Sequence, residues 1–153
     1  MQKPAIDEAK LPEVKEIIMD ADSLMTEQDC ENDEAAKTKL EDLQNRLREI
    51  TGNHQILVRD FWHYDEAVSL ETAARGALMN PPEKEDLTDE QIKEIVLNIL
   101  KHNEAEMDWW IKYLSMNTGL KNLTDYIFYP NLVGLDENSS LEQIADKIIE
   151  DRN

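Results

Sequence analysis

The sequence predicts an all-α protein, on three observations. Glycine and proline are sparse, with four and five copies in 153 residues. Alternating runs rich in Val, Ile and Thr, which would mark strands, are few. Apolar residues instead recur at steps of three and four along most of the chain, the spacing of one helix face. An apolar fraction of 41% is enough to build a core rather than a disordered chain. The length suits one domain or two very small ones.

Leu11, Val14, Ile17, Ile18, Ala21, Leu24 and Met25 outline the first helix, with Pro12 tolerated in its first turn. Thr26 to Glu34 reads as an acidic loop. Ala36, Leu40, Leu43, Leu47 and Ile50 mark a second amphipathic helix, closed by Gly52 as a left-handed terminator. An aromatic cluster, Asp60 to Tyr64, follows. Ser69 then caps a helix carrying Leu70, Ala73, Ala74, Ala77 and Leu78. Asn80-Pro81-Pro82 breaks that helix, and the charged run Glu83 to Asp86 reads as a linker.

Beyond it, Thr88 and Gln91 form a capping box for a helix whose buried stripe is Ile92, Ile95, Val96, Ile99 and Leu100. Glu104 to Met116 is the next helix, with Gly119 near its end. Asp125 to Pro130 is a short element stopped by proline. Ser140 caps the last helix, with Leu141, Ile144, Ala145, Ile148 and Ile149 facing inward.

The halves run through the same order of features. Thr51-Gly52 matches Thr118-Gly119, Asp60 and Tyr64 match Asp125 and Tyr129, and Ser69-Leu70-Glu71 matches Ser140-Leu141-Glu142. The spacing drifts only where loops would change length, which points to a tandem duplication. The competing explanation is that two unrelated helical runs share common capping residues. The expected organisation is a degenerate repeat over 1–80 and a second over 86–153. Docking of the two into one body is expected, because about 70 residues make a marginal domain alone.

Charge narrows the function classes. There are 34 acidic against 16 basic residues, a formal net charge of −18. Phosphate contacts need clustered Lys and Arg, so nucleic-acid binding is not expected. An anionic membrane surface would repel such a chain, and no window approaches a membrane span. A basic protein would be attracted and steered. Cys30 is the lone cysteine, so no intramolecular disulfide can form, and a reducing cytoplasm fits. The N-terminal stretch has no apolar run suited to a signal peptide.

Thr124-Asp125-Tyr126-Ile127-Phe128-Tyr129-Pro130, then Asp136, then Ser140-Leu141-Glu142-Gln143-Ile144, resembles the signature of the E-type colicin and S-type pyocin immunity proteins. The helix opened by Leu87-Thr88-Asp89 looks like that family's first helix. The resemblance covers about 65 residues, from about Thr88 to Arg152. Phe128 stands where the family has its first tyrosine, and Leu141 where proline is usual. In the first half the signature is degraded, with Arg59 before Asp60, His63 in place of an aromatic and Asp65 in place of the proline.

The resemblance, to a family of single-domain proteins, implies a four-helix immunity-like fold and a bacteriocin immunity function; with the internal repeat, two such modules in tandem are expected. Such a protein binds a basic nuclease toxin domain beside its active site and blocks nucleic acid by bulk and negative charge. It also implies a shared anchor at Thr124, Asp125, Phe128, Tyr129 and Pro130. The specificity face would be Glu104, Met107, Asp108, Ile111 and Ser115. A monomer or weak dimer is expected. The rival function is a helical interaction or scaffold module with no toxin partner.

Several residues carry two readings. Tyrosine suits an interface anchor, giving large area at small rotamer cost, yet Tyr129 also fits a core aromatic with its hydroxyl at the rim. Asp125 fits both a cap for the short helix and a partner for a toxin cation. Glu104, Asp108, Ile111 and Ser115 step four, three and four along one face, which is either a steered interface or a solvated face with Ile111 inside. Trp109 and Trp110 are about 100° apart on a helix, so they are not expected to face one core; one is exposed or packs between repeats, and Trp62 could do the same.

Nothing marks an enzyme. The four glycines are isolated, so no phosphate loop exists. His54, His63 and His102 have no zinc spacing, and no metal or cofactor is expected. Asp29, Glu31 and Asp33 imitate a calcium loop, but Glu34 and Leu40 stand where it needs glycine and glutamate. Cys30 in an acidic loop is not an activated thiol.

Overall fold

A computed structural model describes all residues, Met1–Asn153. The chain is all-helical, with seven α-helices and no strand. It divides into two compact units: an N-terminal unit, Ala5–Asn80, and a C-terminal unit, Met1–Pro4 with Pro81–Asn153.

In the N-terminal unit, Asp7 caps a 3-10 turn at Glu8–Lys10 that leads into α1, Leu11–Glu27. Asp33 accepts from the amides of Ala35 and Ala36 and starts α2, Glu34–Thr51. Ser69 accepts from the Thr72 amide and starts α3, Leu70–Leu78. Helix α1 packs against both α2 and α3. Val14, Ile17, Ile18 and Ala21 of α1 and Ala36 and Leu47 of α2 are fully enclosed. Each large aliphatic side chain so buried stabilises the unit by about 1.5–3 kcal/mol relative to exposure. Met25, at the end of the stripe, is only half-buried.

Between α2 and α3 the chain forms two 3-10 turns, Val58–Phe61 and Tyr64–Glu66, rather than a short α-helix. Gln44 of α2 fixes this segment. Its amide donates to Ile56 O (2.7 Å) and its carbonyl accepts from Val58 N (2.9 Å). His63 sits in the left-handed region at φ 58°, and its amide donates to Asp22 Oδ1 (2.8 Å).

In the C-terminal unit, α4 is Asp89–Asn98, α5 Glu104–Thr118, α6 Leu123–Phe128 and α7 Leu141–Asp151. Helix α4 packs on α7, and α6 on both α5 and α7. The Thr88/Gln91 and Ser140/Gln143 capping boxes are both formed reciprocally. Ile92, Val96, Ile99, Leu114 and Ile148 are fully enclosed.

Two expectations need correction. Leu100 is exposed, not part of the α4 stripe. The helix tightens to a 3-10 turn at Ile99–Lys101, and the changed periodicity turns Leu100 outward. Glu83 to Asp86 is not an untethered linker. Glu83 N donates to Gln2 Oε1 (2.7 Å), Glu85 N to Asn117 Oδ1 (2.6 Å), and Arg152 Nη1 to Leu87 O (3.1 Å). The Glu85 carboxylate also accepts from the Gln2 amide and the Tyr113 hydroxyl. That second bond lowers the pKa of Glu85, while burial and the same bond raise Tyr113 to about 12.

Candidate protein-binding face

Helix α6 is six residues long, too short to persist alone. Leu123, Tyr126 and Ile127 anchor it inward, and all three are buried. The Tyr126 hydroxyl donates to Asp151 Oδ2 on α7 (2.7 Å). Burial first, then this bond, raises Tyr126 to about 12, and the same bond holds the Asp151 carboxyl below its ordinary range.

Anchoring one side of so short a helix turns the other side out. Phe128 is 41% exposed and Tyr129 56% exposed. The Tyr129 backbone is held on both sides, its amide donating to Asp125 O (2.8 Å) and its carbonyl accepting from Leu132 N (2.8 Å). Pro130 opens a 3-10 turn, Pro130–Val133, and its own carbonyl accepts from Leu135 N (3.0 Å). The Tyr129 ring is therefore presented from a fixed backbone, which lowers the entropy lost on docking.

The expected anchor residues divide. Thr124, Phe128 and Tyr129 are exposed and Asp125 is half-buried. Pro130 is buried, so it shapes the anchor from beneath and offers no surface. Asp125 does not cap α6. The helix begins at Leu123 with Asn122 at the cap position and no side-chain cap bond, which puts Asp125 in the first turn. There its carboxylate favours the helix macrodipole instead.

On α5, Asn103 accepts from Glu106 N and sets the start. Glu104 and Asp108 are exposed; Met107 and Ile111 are half-buried. Ser115 is half-buried, and its hydroxyl donates to Leu120 O (2.7 Å) and closes the helix end.

Of the alternatives for the tryptophan pair, an exposed ring is ruled out. Trp109 and Trp110 are both buried. They pack edge to face at 5.0 Å; Trp109 stacks on Tyr113 at 5.1 Å and Trp110 on His102 at 5.8 Å. Large rings bridge the 100° between neighbours, so adjacency on a helix does not force one of them out. Trp62 is half-exposed, stacked on His63 at 4.7 Å, and donates from Nε1 to Thr26 Oγ1 (3.2 Å).

Leu132, 63% exposed, lies in the turn that follows, its amide bonded to Tyr129 O, and spacing alone does not mark it. A leucine in a loop after proline reads as filler until the 3-10 turn shows which way it points. Clustered exposed apolar side chains mark interaction sites on soluble proteins. No group of three or more His, Cys, Asp or Glu side chains is placed to hold a metal ion, and no helix is long and apolar enough to cross a membrane. No protein-family model, curated protein or solved structure matches the chain.

Proposed function

We propose that the chain is an immunity-type inhibitor, which binds a basic nuclease toxin domain through the Phe128–Tyr129–Leu132 surface and excludes nucleic acid from it. The observation that carries this reading is the exposure of Tyr129 on a segment that Leu123, Tyr126 and Ile127 anchor from its other side. A tyrosine presented from a hydrogen-bonded backbone, next in sequence to a second exposed aromatic, has the make-up of an interface hot spot. Thr124 and Asp125 flank it, and Glu104 and Asp108 lie on α5, which packs against α6. With a net charge of −18 these acids attract a basic partner and repel the nucleic acid that competes for it.

The test is binding and inhibition together. A basic nuclease toxin domain is expected to bind, with slower association at high salt, and to lose cleavage of DNA or RNA when bound. Binding without inhibition would leave a plain interaction module. No binding to any such domain would remove the proposal.

A further inference from the structure

The N-terminal unit contains a cavity of about 340 Å³, lined by Met25, Leu40, Asp29, Glu31, Arg59 and Trp62. Its lining combines three kinds of surface. Met25 and Leu40 are apolar walls. Trp62 offers an indole that is half-exposed and cannot swing freely, because His63 stacks on it and Nε1 donates to Thr26 Oγ1. Asp29 and Glu31 supply two carboxylates against the single guanidinium of Arg59, so the lining is net negative.

Asp29 is fixed as an anion. Its carboxylate accepts from the amides of Glu31 and Asn32 (3.1 Å each) and from Asn32 Nδ2 (2.9 Å), which holds its pKa down. Cys30, also in the wall, is buried, and that burial first of all raises its thiol pKa, so it lines the space as a neutral group.

We infer that this cavity receives an arginine or lysine side chain of a basic protein. The methylene stem lies on Met25 and Leu40, and the charged head meets the Trp62 ring and the Asp29 and Glu31 carboxylates. Cations favour an indole face, and a carboxylate rim adds charge selectivity. The unit around the cavity supplies the matching field, with eighteen acidic against eight basic residues in Ala5–Asn80. An anionic ligand would meet only Arg59 as a counter-charge. The inference does not rest on the nuclease reading.

The probe is a capped Gly-Arg-Gly peptide, compared with the same peptide carrying neutral citrulline. The readout is the indole N–H resonance of Trp62 in the full chain, assigned by its loss in Trp62→Phe. The arginine peptide is expected to shift it saturably, more than the indoles of Trp109 and Trp110, and less at high salt. Citrulline is expected to leave it in place. Glu31→Gln, which keeps the loop bonds made by Asp29, is expected to weaken the response about two- to fivefold. Equal shifts from both peptides would overturn the assignment. So would an unchanged response in Glu31→Gln, or a preference for a Gly-Glu-Gly peptide.

Discussion

The two units close their second long helices in the same way and then diverge. Thr51 donates to Leu47 O and Thr118 to Leu114 O, both at 2.7 Å, and each hydroxyl then accepts an amide two residues on. Gly52 and Gly119 follow with φ of 69° and 74°. Past that point the C-terminal unit builds α6 and a proline-started turn that lifts Phe128 and Tyr129 into solvent. The N-terminal unit builds two 3-10 turns and a left-handed His63, and leaves a cavity beside Trp62. Helix ends and caps are shared; the segment between them carries the difference in surface. Both units are acidic, with sixteen acids to eight bases in the C-terminal one and eighteen to eight in the other, so charge does not distinguish them.

The largest effect should come from matched core truncations. Leu47 and Leu114 are both fully enclosed at equivalent places before the Thr-Gly pair. Leu47→Ala and Leu114→Ala are each expected to cost about 2–5 kcal/mol in denaturant unfolding. A near-neutral result at either would break the equivalence of the two helices.

Alkaline pH should separate the units next. A phenol that the fold keeps neutral has a raised pKa. Its contribution is whole below the ordinary value of 10.0 and is lost as pH rises through about 12. Tyr113 and Tyr126 are both of this kind and both belong to the C-terminal unit. That unit is expected to lose stability between pH 10 and about 12, with two phenols ionising late by ultraviolet absorbance. Tyr126→Phe should reduce that loss.

Smaller differences sharpen the comparison. Gly52→Ala and Gly119→Ala each force an L-residue into the left-handed region, at about 1–2 kcal/mol. At Gly52 an added Cβ meets nothing within 4 Å; at Gly119 it meets Asn153 Nδ2 at 3.0 Å and Cβ at 3.3 Å. Gly119→Ala should therefore be the costlier in thermal unfolding. Ser69 and Ser140 both cap, but only Ser140 is in a reciprocal box. Ser140→Ala should cost about 1 kcal/mol and Ser69→Ala somewhat less.

Much of the fold was legible. Ser69, Thr88 and Ser140 each stood where a cap was expected, because caps are local and depend on a few adjacent residues. Six of the seven helices follow from three- and four-residue spacing for the same reason; the short α6 does not. What failed was tertiary. Trp109 and Trp110 are both buried, stacked on Tyr113 and His102, so neither is the exposed ring that spacing left open. Leu100 and Leu132 sit in or beside 3-10 turns, where the 3.6-residue period no longer tells inside from outside. Pro130 reads as part of an anchor in the sequence and is instead the buried wedge that positions one. Exposure of Tyr129 depends on Tyr126 reaching Asp151, 25 residues further along.

The most direct test of the central claim is the affinity of the wild-type chain and of Tyr129→Ala for a basic nuclease toxin domain. Tyr129→Ala should fold normally, since the ring is mostly in solvent, and should lose about 2–4 kcal/mol of binding together with inhibition. Unchanged affinity in a folded Tyr129→Ala variant, or no binding by the wild-type chain, would contradict it.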